Sequence, residues 1–291
     1  MAAGTEIWRD FDLATLEREY SPSSCVDDLR ALIDAYAARS RESEARATVH
    51  KGLAFGSHPD EALDYFPVEN PRAPLQVFIH GGYWQELSKD ESTFAGADFV
   101  AEGVAFAAIG YTLAPKARIG EMVEQCRRSL VWLYRNADDL GFDRERMFIS
   151  GSSAGAHLAA MLLTTHWEDY AVPADLVKGA TLMSGIYDLR PICDTYINEP
   201  LMLDESSARD LSPLFGSLAG LPPAIVCWGE HETDEFKRQS RSFADALQQA
   251  GSPVATLEVP GHNHFDIVHA LANRSTSLGE RVFEQLLGRA D

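Results

Sequence analysis

One stretch constrains this chain more than any other. The apolar run Met147-Phe148-Ile149 breaks into Gly151-Ser152-Ser153-Ala154-Gly155 and resumes from Ala156 as a helix former. A glycine two residues to each side of Ser153 lets a buried strand turn sharply into a helix, because the two backbones pass closely only where no Cβ stands between them. Ser153 then stands at the tip of the turn. The N–H of Ala154 opens a helix whose positive end faces any negative charge forming there. Ser150 and Ser152 are competing hydroxyls, but neither sits between the two glycines. The pattern alone also fits an ordinary strand-to-helix turn with a serine cap, so its surroundings must decide.

Those surroundings read as a sheet. From Leu75 onward, continuous apolar segments alternate with helical periods, as in a parallel sheet covered on both faces. Strands are predicted at 75–79, 104–109, 147–150, 179–183, 224–228 and 254–259, and helices at 93–102, 120–136, 154–165, 234–250 and 276–287. Extended segments at 50–55 and 62–68, closed by the Glu69-Asn70-Pro71-Arg72-Ala73-Pro74 turn cluster, predict an antiparallel opening. Residues 1–48 read as a charge-rich helical arm of the same domain, with Leu29, Leu32, Ile33 and Tyr36 at helical spacing after a break at Ser21-Pro22-Ser23-Ser24. The 49–291 body is the main domain. Within it, 188–220 carries no strong period and could form a short cap over the sheet edge. At 291 residues the chain is long enough for one large α/β domain.

Charge and cysteine usage narrow the function classes. A formal charge of −19 argues against a nucleic-acid backbone as partner, since affinity there comes from clustered Lys and Arg. Cys25, Cys126, Cys193 and Cys227 are scattered without a C-x-x-C pair, which disfavours a zinc site or a disulfide framework. No apolar stretch is long enough to cross a bilayer. The first ten residues lack the basic start and apolar core of a secretory signal, so a cytoplasmic location is expected. The arm is long enough to reach a neighbouring copy, which leaves a homo-oligomer open.

Three further segments can serve Ser153. His80-Gly81-Gly82-Tyr83-Trp84 follows the first apolar strand of the parallel run. Two glycines at the carboxyl end of a strand free the backbone to aim N–H groups into the crevice where open α/β sheets bind ligands. With Ala154 they could hold an oxyanion. His80 reads as the hydrogen-bonder that holds this turn, and His157 as a core-edge residue of the helix after Ser153. A base should lie downstream, after an acid, because in this architecture the chain order is serine, acid, histidine. Pro260-Gly261-His262-Asn263-His264-Phe265 offers two imidazoles. His264 is preferred because Phe265 can pack and fix its ring, and His262 is the runner-up. The acid should follow the 224–228 strand, where Glu230, Glu232, Asp234 and Glu235 compete. Local physics does not separate Glu232 from Asp234, and Asp188 is an outside candidate.

Taken together, His80-Gly-Gly-Tyr-Trp84, Gly110-Tyr-Thr-Leu-Ala-Pro115, Gly151-Ser-Ser-Ala-Gly-Ala-His157, Ser184-Gly-Ile-Tyr-Asp-Leu189, Glu232-Thr-Asp-Glu-Phe236 and His264-Phe265 resemble the kynurenine formamidase (arylformamidase) branch of the α/β-hydrolase esterases. The resemblance implies an α/β-hydrolase fold, with Ser153 as nucleophile, His264 as base and Glu232 as acid. Animal and fungal formamidases carry Asp at the position of Glu232, a departure that leaves the role intact. It also implies an oxyanion element at Gly81, Gly82 and Tyr83, joined by Ala154, and a small amide or ester substrate such as N-formylkynurenine, cleaved through an acyl-enzyme with no metal or organic cofactor. Tyr83, Trp84, Tyr187, Tyr196 and Phe265 are the candidates for an aromatic-lined pocket. A short-chain carboxylesterase is the near alternative, and a binding protein with lost machinery the distant one.

Overall fold

The computed structural model describes residues 8–288; residues 1–7 of the predicted arm lie outside that range. Eight strands form one sheet: β1 (His50–Ala54), β2 (Ala62–Phe66), β3 (Leu75–Ile79), β4 (Ala105–Ile109), β5 (Met147–Ser152), β6 (Val177–Met183), β7 (Ala224–His231) and β8 (Val254–Asn263). Their spatial order is β1-β2-β4-β3-β5-β6-β7-β8. β1 and β2 pair antiparallel, as do β2 and β4, and every later pairing is parallel. The antiparallel opening and the parallel run both stand where the apolar pattern predicts them. β5 lies in the interior of the sheet, so its carboxyl end, and Ser153 after it, face the middle of the crevice.

Alternation along the strands divides the core in two. Leu75, Val77 and Ile79 of β3 and Met147 and Ile149 of β5 join one apolar cluster, while Phe78 and Phe148 join the other. Such period-two sorting is what a sheet covered on both faces requires. Gln76, buried on β3, is tolerated because its amide donates to Ser150 Oγ at 2.9 Å on the neighbouring β5.

Ten helices flank the strands among the described residues. The arm supplies α1 (Leu13–Glu19) and α2 (Leu29–Arg46). The covering layers come from α3 (Gly96–Ala101), α4 (Ile119–Arg135), the single turn α5 (Ala137–Leu140), α6 (Ala154–Leu163), α9 (Asp234–Gln249) and α10 (Ser277–Leu287). Between β6 and β7 the chain forms only short pieces, α7 (Asn198–Leu201), α8 (Glu205–Asp210) and flanking 3-10 turns, which is why no period is visible there. The arm is caught by its aromatic residues. Tyr20 is fully buried against Phe236 at the start of α9, and Tyr36 of α2 packs on Phe94 and His269. Among the described residues no helix is long and apolar enough to cross a membrane.

Candidate active site

Ser153 sits between β5 and α6 with φ 56° and ψ −120°. A serine with positive φ is strained, and it persists only where the surroundings over-determine it. Here they do. Its N–H donates to Met183 O at 2.8 Å, and its carbonyl accepts from the N–H groups of Ala156 and His157. A Cβ on Gly151 would fall 2.2 Å from Gly155 O, and one on Gly155 would fall 2.1 Å from Ile79 O. Both glycines of the motif are therefore fixed by close backbone passage, as the spacing predicts.

The turn after β3 closes over this serine. A Cβ on Gly81 would lie 2.8 Å from Ser152 O and 3.1 Å from Ser153 Cβ, so Gly81 packs directly on the elbow. Gly82, Tyr83 and Trp84 all have positive φ, at 92°, 51° and 61°. The N–H groups of Gly81, Gly82 and Tyr83 donate to no other group among the described residues. Ala154 opens α6, where an N–H has no partner within its own helix. His80 holds the turn: its Nδ1–H donates to Gly81 O at 2.9 Å, its ring stacks on Tyr111 at 4.2 Å, and Tyr111 Oη donates to His80 O at 2.9 Å. Burial pushes the His80 imidazole down to about 4, so it stays neutral.

Glu232 and His264 meet although they lie 32 positions apart, with His264 Nδ1 3.1 Å from Glu232 Oε2. The other carboxylate oxygen accepts the Gly229 N–H and the Ser184 hydroxyl, each at 2.5 Å. Both partners are buried. The carboxylate selects the Nδ1–H tautomer, which leaves Nε2 with a lone pair. The rival acids are engaged elsewhere. Asp234 is exposed at the start of α9, Glu235 pairs with Arg238 at 2.7 Å, Asp188 pairs with Arg190 at 2.8 Å, and Glu230 accepts the Gly261 N–H. His262 turns its Nδ1 to Pro260 O. The ring of His264 is held between Phe236 at 4.4 Å and Phe265 at 5.3 Å.

A cavity of about 230 Å³ brings Ser153, His264, Gly81, Gly82 and Tyr83 together. Tyr196 and Phe265 also line it. Trp84 and Tyr187, both predicted to line the pocket, do not. Trp84 is fully buried with its ring edge-on to His157 at 5.1 Å, and Tyr187 is fully buried and stacked on Phe243 at 4.3 Å. His157 is likewise buried and donates Nε2–H to Leu211 O at 2.7 Å.

Two contributions are invisible to the local motifs. Ser184, already part of the Ser-Gly-Ile-Tyr-Asp-Leu segment, fastens Glu232. The arm supplies a wall of the cavity through Ser21, Leu29, Ile33 and Tyr36, although its sequence signals only an amphipathic helix.

Comparison with known proteins agrees with this architecture. A family model described as alpha/beta hydrolase fold matches residues 76–267. The kynurenine formamidase of Danio rerio is 36% identical over 96% of this chain and 98% of its own length. That of Salmo salar is 35% identical over the same shares. In three dimensions, an esterase from Pyrobaculum calidifontis superimposes with a TM-score of 0.70 at 19% identity, covering 89% of this chain and 93% of the esterase.

Proposed function

Because the chain belongs to the α/β-hydrolase family, as a kynurenine formamidase-like serine hydrolase of amides and esters, we propose that it cleaves small acyl groups from aryl or heteroaryl amines. N-formylkynurenine is the reference compound, and Ser153, His264 and Glu232 carry the reaction. The observation behind this reading is the 3.1 Å contact of Glu232 with His264, whose ring lines the same cavity as a strained Ser153.

The chemistry follows from the groups in place. Nε2 of His264 takes the Ser153 hydroxyl proton as Oγ attacks the acyl carbon, and Glu232 orients the ring and stabilises the imidazolium. Charge gathers on the former carbonyl oxygen, within reach of N–H groups from Gly81, Gly82, Tyr83 and Ala154. Losing one such donor typically costs about 10²–10³ in rate. The imidazolium then protonates the departing arylamine. Water, deprotonated by the same Nε2, attacks the acyl-serine and releases the carboxylic acid with Ser153 restored. Tyr83, Tyr196 and Phe265 are the aromatic residues against which an aryl leaving group would pack. Small-molecule turnover in the cytoplasm fits the composition, and an arm-mediated homo-oligomer is compatible with it.

Labelling by an organophosphonate, followed by peptide mapping, tests the nucleophile: the adduct is expected on Ser153 and absent from folded Ser153→Ala. For the substrate, kcat/KM on N-formylated arylamines should exceed that on a p-nitrophenyl ester. The reverse order would make the protein a general short-chain carboxylesterase.

A further inference from the structure

Most hydroxyls that line the cavity are committed to the protein itself. Tyr36 Oη donates to Phe265 O, Tyr83 Oη to Tyr20 O and Ser92 Oγ to Ser88 O. Ser21 Oγ donates to Glu17 O at 2.6 Å, which leaves it to accept from Tyr196 Oη at 2.8 Å. Besides the nucleophile, Ser23 and Ser152 are the lining residues whose hydroxyls have no partner among the described residues.

The two stand in different surroundings. Ser23 belongs to the 3-10 turn Pro22–Cys25 of the arm and is exposed, so water satisfies it. Ser152 is only 5% exposed, yet its oxygen is not sealed off, because the residue borders the cavity. It ends β5, and strand alternation puts it on the same face as Phe148 and Ser150. Phe78, Phe94 and Val268, which share an apolar cluster with Phe148, line the cavity on that side. An acceptor entering such a wall is penalised unless a donor meets it there.

The scissile carbonyl is not that acceptor, since its oxygen has the backbone N–H groups described above. What remains is the leaving group. Ser152 adjoins the nucleophile in the chain, and the ring position nearest a scissile anilide nitrogen is the ortho carbon. We propose that Ser152 is a specificity-determining residue, whose hydroxyl donates to a carbonyl oxygen carried ortho to the scissile nitrogen, so that ortho-acyl anilides are the preferred substrate class. The inference rests on the aryl-amide reading above and deepens it. N-formylkynurenine, an ortho-acyl formanilide, falls within the class.

Two isomers test this, 2-formamidoacetophenone and 4-formamidoacetophenone, which carry the same acetyl group beside the scissile bond or remote from it. The quantity read is the ratio of their kcat/KM values in the wild type, in Ser152→Ala and in Ser23→Ala. The intrinsic reactivity of the two anilides is common to all three proteins and cancels between them. Ser152→Ala should lower the ratio of the 2-isomer to the 4-isomer by about five- to tenfold, the worth of one neutral hydrogen bond. N-formylkynurenine, measured against the 4-isomer, should lose the same factor. Ser23→Ala should leave the ratio where it is. The oxygen removed from Ser152 holds no other group among the described residues, so the fold loses no bond with it. An unchanged ratio in Ser152→Ala, including a fall shared equally by both isomers as a purely structural role would give, would overturn the proposal. So would a collapse of the ratio in Ser23→Ala. Failure of every formanilide while p-nitrophenyl acetate is cleaved would instead strike down the aryl-amide reading, and this refinement with it.

Discussion

Ser184 donates its hydroxyl at 2.5 Å to Glu232 Oε1, the carboxylate oxygen that His264 does not use. The serine stands just past β6 at φ 53°, with its N–H on Cys227 O at 2.8 Å, so its position is set by the sheet rather than by the acid. Glu232 is thereby held at both oxygens. A glutamate has one more rotatable bond than an aspartate, and the second grip offsets that freedom. Ser184→Ala should lower kcat by about five- to twentyfold with KM nearly unchanged, because the loss concerns the orientation of His264 and not substrate contact. Steady-state kinetics on an aryl formamide give both constants, and a change confined to KM would contradict this account.

Shortening the acid probes the same geometry from the other side. Glu232→Asp withdraws the carboxylate by about one C–C bond, roughly 1.5 Å. The 3.1 Å contact with His264 and the contacts with Ser184 and Gly229 cannot then all be kept. A fall in kcat of about ten- to a hundredfold is expected, with the circular dichroism spectrum unchanged. Retention of wild-type kcat would show that the loops re-close around the shorter side chain.

How much of this was legible in the sequence depends on whether the determinant was local. The elbow was readable because Gly151 and Gly155 answer a steric demand within five residues, and the strands because burial on two faces leaves uninterrupted apolar runs. Local physics does not separate Glu232 from Asp234, since what distinguishes them is a contact with His264 across 32 positions; the proposal of Glu232 as the acid comes from the family resemblance. Trp84 and Tyr187, expected at the pocket, pack inward for a related reason. An aromatic beside a catalytic motif can pack inward or line the pocket, and only the fold tells which. The wall formed by the arm was hidden because Tyr20 and Tyr36 find partners more than 200 positions away, at Glu235 and Phe265.

Tyr83 ties the proposed oxyanion turn to that arm, its hydroxyl donating to Tyr20 O. Tyr20 is itself anchored near the proposed acid, Glu232. Its hydroxyl donates to Glu235 Oε2 at 3.0 Å and accepts from Gln239 at 2.9 Å, while Thr233 donates to the neighbouring Glu19 O at 2.6 Å. Tyr83→Phe leaves a carbonyl unpartnered and frees a turn held at positive φ. It should cost about 1 kcal/mol of stability and reduce kcat/KM by about three- to tenfold. Thermal melts and kinetics on one preparation separate the two effects; a lower Tm with unaltered kcat/KM would show that the tether serves only the fold.

The stability of the protein should fall as the solution is acidified from neutral, through three histidines outside the proposed chemistry. His80 and His157 are buried, and burial pushes each down to about 4 from an ordinary 6.5; burial pushes His269 down to about 3. In the unfolded chain all three regain the ordinary value, so between about pH 6.5 and 4 the unfolded state binds more protons than the folded one. Stability is then complete above pH 6.5 and declines as pH drops toward 4, with a limiting slope of about 1.4 kcal/mol per pH unit for each histidine. His157 makes one hydrogen bond, from Nε2 to Leu211 O, and its buried Nδ1 has no partner among the described residues. His157→Gln can replace that donor without carrying a titrating group, so it should remove roughly a third of the histidine slope even if it lowers stability at pH 7. Urea midpoints measured between pH 7.5 and 5 give the slope for each protein. A flat profile in the wild type would mean that these imidazoles accept protons without unfolding.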